Sequence, residues 1–168
     1  MGMKQVLTNW NGKSVDEIGE VYGRYASTHS FIAQLVQFMS QKPLQKGASW
    51  LLKHHFEEGQ KLILIEIKQI YQLLPELVHW ESKLHILQCI PFMPIEVSQA
   101  AQVHEFLHVC VSDKNKLVRA WAYNGFYELA VQHKAYKTEA KQRLEAAMTD
   151  EAASVKARIR NVMKKGGL

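Results

Sequence analysis

The residues best suited to chemistry form one short string. His104, Glu105 and His108 make the pattern His-Glu-x-x-His. On an α-helix, two histidines four positions apart face the same side and can share a zinc ion, while the glutamate acts as general base on zinc-bound water. Zinc needs a further protein ligand, and Glu128 is the first helical acid at a plausible distance downstream. One alternative for this chain is therefore a zinc-dependent hydrolase.

The enzyme hypothesis depends on this string alone. Zinc peptidases of the usual fold hold their substrate at the edge of a β-sheet, and the sequence predicts no sheet. The chain also has no glycine-rich phosphate loop and no Gly-x-Ser-x-Gly elbow. We therefore expect no catalytic residue, no cofactor and no bound metal, and we rank zinc hydrolysis last among the alternatives.

Composition and charge indicate an ordinary globular chain. Of its 168 residues, 47% are hydrophobic and 22% are charged, which is enough to form a core. The formal net charge of +5 allows anionic partners without requiring them. Cys89 and Cys110 lie in apolar helical surroundings, as expected for buried thiols. No segment looks like a signal peptide or a membrane span, so we expect a cytoplasmic protein that binds no membrane.

An apolar pattern recurs along the chain at a spacing near 37 residues. Leu44, Trp80, Val118 and Val155 begin four similar helix faces, at intervals of 36, 38 and 37 residues. Such a period is typical of stacked helical hairpins, each of which is unable to bury its apolar face alone. The sequence therefore predicts an all-α chain of about four helix pairs.

Capping residues and prolines set the limits of the predicted helices. Ser14 and Glu17 form a capping box, so a first helix begins there. Further helices are predicted over about 28–40, 44–59, 62–74, 79–90, 96–111, 116–131, 137–148 and 153–164. Residues 63–67 alternate in the manner of a strand, but we predict a helix because the flanking repeats require one. Residues 112–113 and 149–150, each a hydroxyl residue followed by aspartate, are predicted to start two helices 37 residues apart.

The segment 113–129 resembles the second helix of a HEAT repeat. That family has an aspartate near the helix start, then Val-Arg, then an alanine three residues after the arginine. Here these residues are Asp113, Val118, Arg119 and Ala122. The last repeat is a weaker copy of this pattern, with Asp150, Val155, Lys156 and Ile159 at the corresponding positions. The first two repeats differ more, because they have Gln45 and Glu81 where the family favours arginine.

This resemblance implies a fold and a general role. The fold would be a right-handed α-α superhelix of about four helix pairs. It would form one domain over 1–168, with an N-terminal helical cap at 1–27 and repeats over 28–168. Asp113 and Arg119 would act structurally, between neighbouring turns and repeats. The usual role of the family is to bind protein or nucleic acid.

A candidate binding surface follows from the helix rotation. If each anchor lies at the centre of a buried stripe, residues two, five, six and nine positions later face solvent. The four second helices then present one ribbon of cations and aromatic rings without a carboxylate. Rings supply buried area and cations orient an acidic partner. We predict a non-catalytic scaffold that binds a protein or peptide through Trp50, Lys53, His85, Tyr123, Tyr127, Arg160 and Lys164.

The same ribbon also suits a nucleic acid, because cations neutralise phosphates and rings stack on bases. In architecture and basicity the chain is distantly similar to HEAT-like DNA glycosylases. Those enzymes use an acidic residue beside the aromatic groups at the lesion, and the projected ribbon has none. Nucleic-acid binding without that catalysis is therefore the second alternative.

Overall fold

The computed structural model describes all residues from 1 to 168 and contains ten α-helices and no strand. This confirms the all-α prediction, including the choice of helix over strand at 63–67. None of the helices combines the length and the apolar character that crossing a membrane requires. The helices are α1 (Met3–Asn9), α2 (Val15–Tyr25), α3 (Phe31–Met39), α4 (Gln45–Glu57), α5 (Leu64–Gln72), α6 (Trp80–Cys89), α7 (Val97–Cys110), α8 (Lys116–Gln132), α9 (Lys137–Asp150) and α10 (Ala153–Met163).

The chain divides into two compact units, Met1–Phe92 and Met93–Leu168. In the first unit, α4 packs against α2, α3 and α6, and α5 packs against α3. The stripe that begins at Leu44 continues through Ala48, Leu51 and Leu52, and all four side chains are buried. Helices α4 and α6, which carry equivalent positions of successive repeats, are therefore neighbours. The prediction of one domain over 1–168 stays a prediction.

In the second unit, α8 is the central helix and packs against α7, α9 and α10. Val118 and Ala122 on α8 are buried, as are Val155, Ile159 and Val162 on α10. Helices α8 and α10 again carry equivalent positions of successive repeats. The 37-residue spacing thus identified which helices are neighbours within each unit.

The rotation predicted for α6 is only partly right, because Leu84 and Leu87 of the predicted stripe are buried but Trp80 is not. Trp80, taken as the anchor of that repeat, is 43% exposed, whereas Ser82, Leu84, Ile86 and Cys89 are buried. Buried residues occupy two opposite sides of this helix, Leu84 and Leu87 on one and Ser82, Ile86 and Cys89 on the other, so it has no single apolar stripe. The repeat interval therefore located α6 but did not define which side faces the core.

The capping residues predicted for two helices are wrong, although these helices begin at 116 and 153 as predicted, and the helix start at Ser14 is confirmed. Ser14 Oγ accepts a hydrogen bond from the Glu17 amide at 3.3 Å. Helix α8 begins after Asn115, whose side chain accepts from the Leu117 amide at 2.8 Å. Residues 149–150 lie in the last turn of α9, and α10 begins only after Ala152. Alanine and other strong helix formers at 144–148 extend α9 past the apparent start signal.

Gln45, the residue that follows the anchor Leu44, connects two successive predicted repeats of the first unit. Gln45 is buried; its amide nitrogen donates to the carbonyls of Met39 (2.9 Å) and Glu76 (3.0 Å). Its carbonyl oxygen accepts from the amides of Val78 (2.9 Å) and His79 (3.3 Å). One side chain therefore fixes the turn before α4 to the segment that leads into α6.

Arg119 has the equivalent position in the second unit. Its Nε donates to Glu151 Oε1 at 3.0 Å, and its Nη1 donates to the carbonyl of Asp113 at 3.0 Å. Asp113 in turn accepts from the Asn115 amide at 2.8 Å. Arg119 thus joins α8 to the segment between α9 and α10, and the Asp113 side chain accepts a hydrogen bond within the turn that precedes α8.

Candidate binding groove

A rigid loop between α1 and α2 forms one wall of a groove in the first unit. Asn11 Oδ1 accepts from the amides of Lys13 (2.7 Å) and Ser14 (3.0 Å). The indole N–H of Trp10 donates to the Ser14 carbonyl at 2.8 Å. Gly12 has a φ of 77°, a conformation that favours glycine. These bonds hold the Trp10 ring in one orientation. The sequence pattern predicted neither helix α1 nor this loop.

Gly47 brings this wall close to α4. A Cβ added at Gly47 would lie 2.7 Å from Leu7 Cδ2 and 3.5 Å from Trp10 Cε3. A side chain at this position would therefore require Leu7 of α1 to shift, whereas its first carbon would make an ordinary van der Waals contact with the Trp10 ring. Glycine at this position leaves room for the Leu7 side chain of α1 against α4.

Two adjoining cavities lie between the loop and helices α4 and α6. The larger, of about 220 Å³, has polar groups from Asn11, Lys42, Lys46 and His79. The smaller, of about 90 Å³, lies beside Trp50, Glu81 and His85. Both are bounded by Trp10, Gly12 and Lys46, so they form one depression. We call it the Trp10 groove and define it by Trp10, Lys13, Lys42, Lys46, Trp50, Glu81 and His85.

The groove has a net positive charge. Lys46 Nζ lies 2.8 Å from Glu81 Oε2. Burial raises the pKa of the Glu81 carboxyl, but the hydrogen bond and charge of Lys46 outweigh it and leave the pKa below its ordinary value. Lys13 and Lys42 are exposed, and their ammonium groups have no carboxylate partner. Two unpaired cations therefore remain in the groove.

His85 is an uncharged member of the groove. Its Nδ1 is hydrogen-bonded to Ser49 Oγ at 2.9 Å, and the ring lines the smaller cavity. Its pKa is lowered from 6.5 to about 4, mainly because burial disfavours the imidazolium and secondly because of the Lys53 ammonium. The carboxylates of Glu81 and Glu57 oppose this shift. At neutral pH His85 is therefore a neutral imidazole.

The Trp50 ring is positioned by its neighbours on α4 and α2. It stacks on His54, with ring centroids 4.9 Å apart and 21° between the planes. The Tyr22 ring of α2 packs edge-on against the His54 ring, with ring centroids 4.6 Å apart. The Tyr22 hydroxyl lies 3.1 Å from His55 Nδ1. Trp50 is thus half-buried and held in place before any ligand binds.

The structure brings together some of the predicted binding residues and separates others. Trp50 and His85 both line the Trp10 groove, whereas Lys53 is paired with Glu57 at 2.6 Å. The expectation of a face without carboxylates is wrong, because Glu81 and Glu57 reach its lysines from outside the projected positions. Trp10, Lys13 and Lys42 were not predicted, since they lie in loops that no helical periodicity describes.

In the second unit, Tyr127 is not at the surface. It is 7% exposed, its hydroxyl donates to the Gly166 carbonyl at 2.8 Å, and the Lys165 ammonium lies 5.9 Å from the ring centroid. Tyr123 is half-buried beside the cluster of α8 and α10. Arg160 and Lys164 are exposed, as predicted from the rotation.

Many other residues that were projected outward are buried. The second helices α4 and α8 pack against neighbours on several sides, so the face opposite the anchor is not free. The projected residues that lie inside are Ser49, Ser82, Ile86, Cys89, Ala120 and Asn124.

The His-Glu-x-x-His string is used in helix packing. His104 Nε2 donates to Glu139 Oε2 at 2.7 Å, and His108 Nδ1 accepts from Arg143 Nη2 at 2.8 Å. Arg143 also donates to Glu139 at 2.9 Å. The structure brings no three His, Cys, Asp or Glu side chains into an arrangement that could hold a metal, so Glu128 does not complete a zinc site. The two histidines connect α7 to α9.

Comparison with known proteins assigns no family. The chain matches no family model, and no curated protein or solved structure shows significant similarity to it. Fold and site therefore define the class only as an all-helical protein with a preformed, positively charged aromatic groove.

Proposed function

We propose that this chain is a non-catalytic binding protein that recognises an acidic segment of a protein partner through the Trp10 groove. The observation that carries the proposal is the placement of the unpaired Lys13 and Lys42 ammonium groups around Trp10 and Trp50. Complementary charge steers and orients an acidic partner. Preorganised aromatic rings supply contact area at a small cost in side-chain entropy.

We further propose that the helices follow a HEAT-like, right-handed superhelical arrangement of about four pairs. Two features support this: α4 neighbours α6, and α8 neighbours α10. In addition, side-chain hydrogen bonds join residues about one repeat apart, such as His79 with Lys42 and Ile95 with Gln132, both separated by 37 residues. Chains of this kind commonly serve as binding scaffolds.

The burial of Ser49 supports a role without catalysis. Ser49 and His85 are hydrogen-bonded in the manner of a nucleophile and its base. However, Ser49 has no exposed surface, so a substrate cannot reach its hydroxyl. The pair is better explained as the support that fixes the His85 ring.

Direct binding tests the proposal. Fluorescein-labelled peptides rich in Asp and Glu, and their Asn and Gln counterparts, are titrated with the full chain and followed by anisotropy. We expect acidic peptides to bind, and Lys42→Glu to weaken their binding by about tenfold or more. Lys68→Glu is the matched control, because Lys68 is an exposed lysine of α5 outside the groove. Equal binding by wild type and Lys42→Glu would contradict the proposal.

A nucleic acid is the second candidate, favoured by one observation in the second unit. Helix α10 and the residues after it carry five basic side chains and no acid between positions 153 and 168. Among them, the Arg158 guanidinium lies 4.0 Å from the Trp121 ring centroid, while Arg160 is exposed. A labelled oligonucleotide would bind with an affinity that falls steeply with salt and that Arg160→Glu reduces. Binding of that kind, without binding of acidic peptides, would favour this candidate.

A further inference from the structure

The larger cavity of the Trp10 groove is lined by two lysines and by no carboxylate. We propose that this cavity binds a phosphate monoester, carried by a phosphorylated side chain in the acidic segment of the protein partner. This inference rests on the proposed function and names the chemical group that the groove selects. The smaller cavity is less suited to an anion, because the Glu81 carboxylate lines it.

Asn11 brings an unused hydrogen-bond donor to the wall of the larger cavity. Its Oδ1 accepts from the backbone amides of Lys13 at 2.7 Å and Ser14 at 3.0 Å. These two bonds fix the orientation of the side-chain amide, because a backbone N–H can only donate. The Nδ2 group of Asn11 therefore keeps two N–H donors for a ligand, and phosphate oxygens accept such bonds.

Lys42 supplies the unshared charge of this cavity. Lys46 Nζ lies 2.8 Å from Glu81 Oε2, whereas the Lys42 ammonium group has no carboxylate partner. The backbone at Lys42 is held in place, because its carbonyl accepts a hydrogen bond from His79 Nε2 at 3.0 Å. An ammonium group forms a short, charge-assisted hydrogen bond with a phosphate oxygen.

The charge of the whole groove matches that of a doubly charged ligand group. With the histidines neutral, the three lysines Lys13, Lys42 and Lys46 against the one carboxylate of Glu81 leave a charge of +2. A phosphate monoester carries a charge of about −1.5 to −2 at pH 7 and three strong acceptor oxygens. It therefore neutralises the groove, whereas a glutamate side chain of the partner would neutralise only half of this charge.

The start of α4 adds to the positive field at the larger cavity. Pro43, Lys46 and Gly47 line the cavity, and the N-cap residue Leu44 provides no side-chain acceptor for the first amides of the helix. The amino-terminal end of a helix has a partial positive charge that favours an anion. The cavity volume of about 220 Å³ has room for several water molecules, which a phosphate group would replace. The helix end thus reinforces Lys42 and Asn11, which define the site.

Three versions of one acidic peptide test the proposal. Fluorescein-labelled Gly-Glu-Asp-Xaa-Glu-Asp-Gly, in which Xaa is phosphoserine, glutamate or serine, is titrated with the full chain and followed by anisotropy. We expect the phosphoserine peptide to bind about tenfold or more tightly than the glutamate peptide. Asn11→Asp keeps the acceptor for the two backbone amides but replaces the N–H donors with an anionic oxygen. Asn11→Asp should therefore abolish this preference, and Lys42→Gln should reduce it to about threefold or less.

Matched controls separate the loss of the site from the change of overall charge. Gln69→Glu makes the same change from amide to carboxylate as Asn11→Asp, and Lys68→Gln matches Lys42→Gln; both positions are exposed on α5, outside the groove. Both control variants should keep the preference for phosphoserine. If Asn11→Asp does not fold by circular dichroism, Lys42→Gln, which changes an exposed side chain, still decides the test.

The possible results distinguish this inference from the proposed function. Equal binding of the phosphoserine and glutamate peptides, both weakened by Lys42→Glu, would overturn the phosphate site and leave the proposed function standing. A phosphoserine preference that survives in both groove variants would overturn the assignment to the larger cavity. Displacement of the phosphopeptide by an equal concentration of inorganic phosphate would show that the groove binds the free ion and would overturn the role of a partner segment. Absence of binding by every peptide would overturn both proposals.

Discussion

Gly125 of α8 packs directly against Leu107 of α7. A Cβ added at Gly125 would overlap with Leu107 Cδ2, so only glycine allows the two helices to approach this closely. Both residues are buried, and neither helix can move away without disturbing the core of the second unit. This glycine occupies the position that the first, second and fourth repeats fill with leucine or valine. Close helix approach therefore replaces side-chain packing at this point of the repeat.

Gly125→Ala is expected to destabilise the protein by about 1–3 kcal/mol, because the added methyl group overpacks the interface. The matched control is Gly23→Ala in α2, where a Cβ meets no atom within 4 Å. That control should be stabilised by up to about 1 kcal/mol, since alanine is the better helix former. Urea unfolding followed by circular dichroism gives both values. A Gly125→Ala variant as stable as the wild type would show that the helices are not in fixed contact.

Gln45→Leu should cost about 2–4 kcal/mol, because several backbone groups lose their hydrogen-bond partner at a site that water reaches poorly. Those groups lie in the turn before α4 and in the segment before α6. Gln69→Leu, an exposed glutamine of α5, is the control and should change stability by no more than about 0.5 kcal/mol. Equal unfolding free energies for the two variants would refute the connecting role of Gln45.

The partly buried His85 makes stability depend on pH. Its folded pKa of about 4 lies below the unfolded value of 6.5, so the unfolded chain binds the proton more readily between these limits. The contribution is fully present above pH 6.5 and is lost as the pH falls towards 4, by about 3 kcal/mol at most. The pKa of His55 is also lowered, first by burial, and acts in the same direction.

Urea unfolding between pH 7 and pH 4.5 measures this effect, with His85→Gln as the variant that cannot titrate at that site. The loss of stability on acidification should be clearly smaller in His85→Gln than in the wild type. An NMR titration of the imidazole provides an independent value of the pKa. An ordinary pKa near 6.5 in the folded chain would contradict the burial of this ring.

His104 should act through helix packing and not through metal. His104→Ala is expected to lower stability by about 1 kcal/mol, because Glu139 loses a hydrogen bond between α9 and α7. His29→Ala, at an exposed histidine outside any helix, should have no measurable effect. Treatment with EDTA should leave the thermal midpoint of the wild type unchanged. Stoichiometric zinc in protein purified without a metal-affinity tag, lost on His104→Ala, would restore the hydrolase hypothesis.

The sequence by itself predicted nine of the ten helices and two of the neighbouring pairs, α4 with α6 and α8 with α10. Apolar residues at helical spacing around Leu44, Val118 and Val155 depend only on local periodicity, and the repeat interval identified α4 with α6 and α8 with α10 as equivalent helices. These signals are strong because burial of an apolar stripe constrains every turn of the helix. The N-cap at Ser14 was readable because cap and helix are contiguous in the chain, but the capping box is not formed, since the Ser14 amide donates to Asn11 Oδ1 and not to Glu17.

Only the tertiary structure decided which side chains surround the groove. Trp10 meets α4 through the close approach at Gly47, and Tyr127 is covered by the segment around Gly166; both contacts join residues more than 35 positions apart. Helix rotation had a similar limit, because α6 has buried residues on two opposite sides and its Trp80 anchor is exposed. Periodicity places a residue on a helix face, but whether that face is covered depends on segments far away in the chain.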